Sequence, residues 1–166
     1  MSNVIEQLVI DQEEDTQKEK YLTFTLGSET YGLDIKYVTE IIGVQEITEI
    51  PEIPEYIRGI INLRGSIIPV MDVRLRFRKS FREYNDRTCI VVVETEDISV
   101  GLIVDAVSEV ISIQDQDIVK PPDLNKELGN KYIKGIIGKV KNEIKLLLDC
   151  NKLLSSDEIQ NLETIN

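Results

Sequence analysis

The side chains able to do chemistry in this chain of 166 residues are few, and their types narrow the choices quickly. There is no histidine, which removes the commonest general base and the commonest metal ligand. Two aspartates, Asp72 and Asp149, close apolar runs at matching places, Ile67 to Asp72 and Ile144 to Asp149. A carboxylate pair can divide acid and base roles between its members, as in a hydrolase. Recurrence at the same place in two like segments points instead to turns or caps. No GxSxG elbow, phosphate-cradling loop or GxGxxG run is present. Asp115-Gln116-Asp117 resembles the opening of a calcium loop, but Lys120 stands where that loop needs glycine and no glutamate closes it. The expectation is a protein that is not an enzyme and holds no metal or cofactor. An acid/base hydrolase, with activity lost on Asp72→Asn or Asp149→Asn, is the lesser alternative.

Cys89 and Cys150 are too far apart for a CxxC pattern, and each adjoins a strand-like run, so they read as buried, reduced thiols. The more informative polar residues are the arginines. All seven (Arg58, Arg64, Arg74, Arg76, Arg78, Arg82, Arg87) lie between positions 58 and 87, on a chain whose formal net charge is −11. With Lys79 they face Asp72, Glu83 and Asp86, a positive island on an acidic protein. Arginine is planar and less strongly hydrated than lysine, and it is favoured at interfaces with carboxylates and aromatics. The island therefore reads as a protein-binding face, with a solvated charged loop over Arg74 to Arg82 as the plainer account. A nucleic-acid-binding small barrel using Arg58 to Arg87 is the alternative. Net negative charge and scarce aromatics (three Phe, six Tyr, no Trp) oppose it.

The elements that must position these groups are short strands. Leu22, Phe24 and Leu26 alternate with Thr23 and Thr25, the pattern of a half-buried strand. Further β-branched runs cover 40–50, 57–63, 67–73, 90–95, 100–104, 110–113, 136–140 and 144–148, which indicates an all-β barrel or sandwich. Pro69 belongs on an edge or at a bulge, and Pro54 suits the start of a single turn through Ile57. Residues 1–18 carry a charge run without apolar periodicity and read as a flexible acidic leader. Ser155 to Glu158 forms a capping-box pattern, so residues 155–166 are expected to close the chain as a helix. There is no basic region before Val4 to Ile10, and no apolar run approaches the length that spans a bilayer. A soluble cytoplasmic protein is expected.

The chain is internally duplicated. Tyr31 to Ile42 aligns with Val100 to Ile111, placing Gly32 against Gly101 and Glu40 against Glu109. Tyr56-Ile57-Arg58-Gly59-Ile60-Ile61 returns as Tyr132-Ile133-Lys134-Gly135-Ile136-Ile137. Two copies of about five strands predict two pseudo-symmetric small barrels packed together within residues 19–154. Their approximate bounds are 19–87 and 88–154, with exchange of strands between barrels left open.

The segments Val38-Thr39-Glu40-Ile41, Tyr56-Ile57-Arg58-Gly59, Asn62-Leu63-Arg64-Gly65 and Pro69-Val70-Met71-Asp72 together resemble the CheW family of bacterial chemotaxis coupling proteins. The likeness continues through Gly101 to Asp105, Val107-Ser108-Glu109-Val110 and Pro121-Pro122, covering about residues 20 to 155. It implies two five-stranded SH3-like barrels and a non-enzymatic adaptor in the cytoplasm, recruited to membrane-associated receptor arrays without membrane insertion. The implied partners are the cytoplasmic tip of methyl-accepting chemoreceptors and the regulatory domain of the CheA histidine kinase. Carried over motif by motif, receptor contacts would fall on Val38, Glu40, Ile41, Gly59, Arg64, Gly65, Val107 and Val110. Kinase contacts would fall on Leu63, Gly65, Ser66 and Ile67, with a second surface at Val119 to Leu124. Core packing is the plainer reading of Val38, Val107 and Val110.

Overall fold

Short β-branched runs punctuated by glycine and acidic turns give ten strands in the computed structural model, which describes residues 19–96, 98–121, 130–138 and 143–155. They are β1 (Glu19–Leu26), β2 (Glu29–Asp34), β3 (Val38–Gly43), β4 (Ile57–Leu63), β5 (Ser66–Asp72), β6 (Cys89–Glu94), β7 (Ser99–Val104), β8 (Ala106–Ile113), β9 (Ile133–Ile137) and β10 (Lys145–Leu148). Two short helices follow the aspartates: α1 (Val73–Arg76) and α2 (Cys150–Leu154). Asp72 and Asp149 cap them, each side chain accepting from the backbone N–H three residues on, Leu75 and Lys152. Each aspartate also donates its own backbone N–H to the tyrosine before the paired strand, Tyr56 or Tyr132, at 2.7 Å in both copies. The capping role expected from recurrence is what the structure displays.

The strands form two five-stranded sheets, ordered β8-β1-β2-β10-β9 and β3-β6-β7-β5-β4. Replacing each strand by its repeat counterpart (β1 for β6, β2 for β7, β8 for β3, β9 for β4, β10 for β5) turns the second order into the first. The two packed SH3-like barrels expected from the sequence are present, with few and short helices. The sheets do not follow the order of the halves, however. β1 and β2 of the first copy complete the sheet of β8, β9 and β10, and β6 and β7 of the second complete that of β3, β4 and β5. A division at residue 87 is therefore not the division between sheets.

Each crossing is a parallel pair, β2 with β10 and β5 with β7, and a glycine sits in each. A Cβ on Gly101 would meet Ile90 Cγ2 at 2.7 Å and Val70 Cγ1 at 2.9 Å; one on Gly32 would meet Leu147 Cδ2 at 2.8 Å. Close approach of the paired strands accounts for both glycines. Pro69 lies opposite Ile60 of β4, while the β5–β7 ladder begins at Val70, so its missing donor falls where that ladder has not started.

The shared core lies between the barrels. Alternate residues of β6 and β7 (Cys89, Val91, Val93; Val100, Leu102, Val104) join Leu22, Phe24 and Leu26 of β1 in one large cluster. The intervening Ile90, Val92 and Ile103 fill one barrel, and Tyr21, Ile113, Ile137 and Leu147 fill the other. These central strands are buried on both faces, so the half-buried reading of β1 needs correction. Thr23 is fully buried, its hydroxyl donating to Glu109 O (2.8 Å) and accepting from Glu109 N (3.0 Å). Two further expectations shift. Residues 44–50 are not a continuation of β3 but an irregular exposed segment tied to β4 by the Thr48–Ile60 bridge. Residues 73–76, read within a strand and a charged loop, are helical because Asp72 caps them. Pro54 does open a single turn, with Ile57 N on Pro54 O at 3.0 Å. The leader 1–18 and the expected closing helix, beyond Ser155, lie outside the described residues.

Candidate functional site

The site assembles from a bulge, a hairpin and an ion pair. In β3 the register against β6 slips by one residue between Val38 and Glu40, so Val38 and Ile41 both face the shared core although they are three apart. Glu40 is thereby aimed along the edge of the sheet. β8 does the same against β1, letting Val107 and Val110 both pack on the same cluster. The V-x-E-I and V-x-E-V segments are thus matching bulged edge strands. Alternation alone does not disclose this, because a bulge breaks the period.

β4 and β5 are joined by Arg64-Gly65, with Leu63 paired to Ser66. Both central residues have positive φ, +52° at Arg64 and +89° at Gly65, as the two-residue I′ hairpin requires. Asn62 steadies the turn by accepting Gly65 N–H on Oδ1 at 2.8 Å. Arginine is an uncommon occupant of the first position, where asparagine or glycine is preferred. Its guanidinium grips Glu40 bidentately, NH1 to Oε2 at 2.6 Å and NH2 to Oε1 at 2.9 Å. The Arg64 side chain is nevertheless 76% exposed. The positive φ of Arg64 is a feature that sequence reading missed; the signal was the Asn62-to-Gly65 hairpin pattern.

The structure brings Glu40, Arg64, Gly65, Ser66 and Ile67 to one end of the β3–β7 sheet, with Ile67 46% exposed and Leu63 half-buried. Gly59 lies apart from this surface in kind: it is buried, at φ +143°, and a Cβ there would meet Thr48 O at 2.1 Å. Val38 and Ile41 are core residues, and Val107 and Val110 are half-buried on the other sheet's edge. Val119 is 55% exposed and bridges Ile136 as Thr48 bridges Ile60, while Leu124 lies outside the described residues. At the corresponding end of the second sheet, Glu109 meets Lys145 at 3.6 Å, and an open cavity of about 320 Å³ is lined by Ile111, Ile113 and Ile137.

Most of the arginine island is engaged within the protein. Asp105, at the β7–β8 junction, accepts from Arg74 Nε and NH2 (both 2.8 Å), Gly27 N (2.7 Å) and Arg82 NH1 (3.2 Å). Burial raises the Asp105 pKa, but the Arg74 and Gly27 hydrogen bonds with the Arg82 charge outweigh it and hold the carboxyl below its ordinary value. This clasp ties the β1–β2 turn to α1. Arg76 lies over the repeat-equivalent rings of Tyr56 (4.3 Å) and Tyr132 (5.0 Å), and Arg58 over Phe81 (5.0 Å). The cysteines are buried, and burial pushes the Cys150 thiol up to about 12, away from nucleophilic use. Asp72 and Asp149 are occupied as caps, Asp72 also taking the Tyr84 hydroxyl at 2.8 Å.

The family model described as "CheW-like domain" matches residues 20–158. The chain is 36% identical to the chemotaxis protein CheW of Klebsiella aerogenes over 151 residues, covering 91% of this chain and 90% of that protein. It is 37% identical to the CheW of Treponema pallidum over 148 residues, covering 87% and 86%. The crystal structure of the scaffolding protein TtCheW from Thermoanaerobacter tengcongensis superimposes with a TM-score of 0.77 at 39% identity, covering 85% of this chain and 95% of that one. Two strand-exchanged barrels with a bulged V-x-E-I edge and an N-L-R-G hairpin, matched across most of the chain, show that this protein belongs to the CheW family.

Proposed function

We propose that this chain is a non-enzymatic cytoplasmic adaptor that couples the cytoplasmic tip of chemoreceptors to the regulatory domain of the CheA kinase. The family supports the chemotaxis scaffold role. The observation that supports the finer reading is that one hairpin borders two neighbouring exposed surfaces. On one side the Glu40–Arg64 pair presents a guanidinium in a fixed, exposed position. On the other, Ser66 and Ile67 expose an apolar end suited to another barrel. A receptor helix would use Glu40, Arg64 and Gly65 as polar rim and Val107 and Val110 as apolar support, a helix-in-groove arrangement. Val38, Ile41 and Gly59 contribute by shaping the edge rather than by contact. The kinase would use Leu63, Gly65, Ser66 and Ile67, and Val119 with Leu124 in the second contact.

The test is separate binding of a receptor-tip fragment and of the CheA regulatory domain to wild type, Arg64→Ala and Ile67→Asp, with urea midpoints alongside. Hot-spot behaviour predicts that Arg64→Ala weakens receptor binding by about tenfold or more at a nearly unchanged midpoint. Ile67→Asp should weaken kinase binding by about as much and spare the receptor. Wild type binding neither partner, or both variants losing both partners equally, would refute the assignment.

A further inference from the structure

The loop from Phe77 to Thr88 lies outside the residues assigned to either partner, and side-chain contacts brace it. Phe81 is 47% exposed, its ring stacked under Arg58 at 5.0 Å and set edge-on to Tyr84 at 5.5 Å. Tyr84 is in turn fixed by its hydroxyl on the buried Asp72 carboxylate at 2.8 Å. Around this knob Arg82 remains 54% exposed although it reaches Asp105. Arg78 and Arg87 are exposed and have no side-chain ion pair among the described residues. Glu83 and Asp86 offset part of the charge and leave the platform positive. A preorganised aromatic ringed by arginines has the composition of an interface centre. Charge sets the occupant's kind: an acidic segment with apolar residues nearby.

The chain carries such a segment at its own start. Residues 1–18 hold Glu6, Asp11, Glu13, Glu14 and Asp15 against Lys18, with Val4, Ile5, Leu8, Val9 and Ile10 beyond the acidic run. Reach is adequate. The platform adjoins the β1–β2 turn, where Lys79 pairs with Glu29, and Glu29 lies opposite Leu26 at the far end of β1 from Glu19. The length of β1 is about 23 Å at strand rise. Asp15 to Asp11 precede Glu19 by four to eight residues, an extended span of about 14 to 28 Å.

We infer that the leader docks in cis on this platform, with carboxylates of Asp11 to Asp15 on Arg78, Arg82 and Arg87 and an apolar side chain from Val4 to Ile10 against Phe81. Exposed ion pairs are individually weak. The tether compensates by holding the leader at an effective concentration in the millimolar range.

Amide chemical shifts of the full chain, of the chain lacking residues 1–18 and of the full-length Arg78→Glu/Arg87→Glu double variant test this. Removing the leader should move the amides of residues 78–87 and leave the remaining dispersion intact. The double variant should show the truncated chain's pattern at Phe81 and Tyr84. Salt at about 1 M, where screening acts within about 3 Å, should move the full chain toward the truncated pattern and leave the truncated chain unchanged. A synthetic peptide of residues 1–18 should restore the original shifts of the truncated chain saturably. Identical shifts at 78–87 with and without the leader would overturn the inference. So would changes centred on the β4–β5 hairpin, or shifts at 78–87 that disappear on tenfold dilution, which would mark a second copy as the occupant.

Discussion

Substituting alanine at Gly59 and at Gly65 should separate what the fold needs from what a partner needs, because the family likeness places both glycines in the receptor-facing set. At Gly59 the added Cβ would lie 2.1 Å from Thr48 O, 2.8 Å from Thr48 C and 2.9 Å from Ile47 Cγ2, two of them backbone atoms that have no rotamer to change. The residue also sits at φ +143°. The clash falls on the Thr48–Ile60 bridge, whose two hydrogen bonds are each 2.9 Å. Overpacking costs about 1–3 kcal/mol, the backbone strain about 1–2 kcal/mol, and a weakened bridge about 1 kcal/mol. Gly59→Ala should therefore destabilise the protein by about 4 kcal/mol, or roughly 8–16 °C in Tm for a chain of this size. At Gly65 nothing lies within 4 Å of the added Cβ, and φ is +89°. That change should cost only about 1 kcal/mol, the strain alone. Urea unfolding followed by far-ultraviolet circular dichroism, with receptor-fragment binding measured below each transition, reads both quantities. A Gly59→Ala midpoint equivalent to wild type within about 0.5 kcal/mol would refute the reasoning, since that is the range of an unconstrained surface change. Lost receptor binding in Gly59→Ala alone would then trace to the fold, and lost binding in Gly65→Ala to the hairpin surface.

Other outcomes follow from the same geometry. Asp105→Asn should cost about 2 kcal/mol in urea unfolding, as expected for charge-assisted hydrogen bonds that lose their charge. Because the folded pKa of Asp105 lies below its unfolded value, the clasp's contribution is complete above the unfolded pKa and is lost as pH falls through the folded one. Acid titrations of stability should show that loss in wild type and a shallower one in Asp105→Asn. Tyr84→Phe should cost about 1 kcal/mol by leaving Asp72 short of one donor, and thermal unfolding checks it. Cys89 and Cys150 should resist a thiol reagent at pH 8 in the folded protein and react fully in urea, because both thiols are buried. Deleting residues 1–18 should leave unfolding cooperative, since a charge run without apolar periodicity adds little to the core.

The parts of this architecture legible in the sequence are those that repeat. The two copies disclosed ten strands, the capping aspartates and the tight glycines, because each of these is a local requirement that a duplicated segment must meet twice. Strand order was not legible. Whether β1 and β2 complete their own copy's sheet or the other's depends on packing between residues more than 70 positions apart, such as Leu22 against Val110. The two-sided burial of β1 was hidden by its threonines, which look solvent-facing until Thr23 is seen bonded into the β8 bulge. The arginine island was visible as composition but not as structure. Its pairing with Asp105, 31 residues from Arg74, and its stacking on aromatic rings are tertiary facts.

Duplication supplies two like ends, and divergence in charge makes them unlike. Glu40 and Glu109 occupy the same place in matching bulged edge strands. Glu40 is held by Arg64, which leans out from the hairpin at 76% exposure. Glu109 is held by Lys145, which lies along β10 at 13% exposure, so there the acid rather than the base faces outward at 60%. One end thus shows a guanidinium beside exposed Ile67, and the other a carboxylate beside exposed Ile144. A partner built on a similar pair of barrels meets opposite charge at the two ends. Like-charge juxtaposition disfavours the wrong end, so holding Glu40 with a hairpin arginine and Glu109 with a strand lysine, at the position equivalent to Ile68, gives a pseudo-symmetric scaffold a direction.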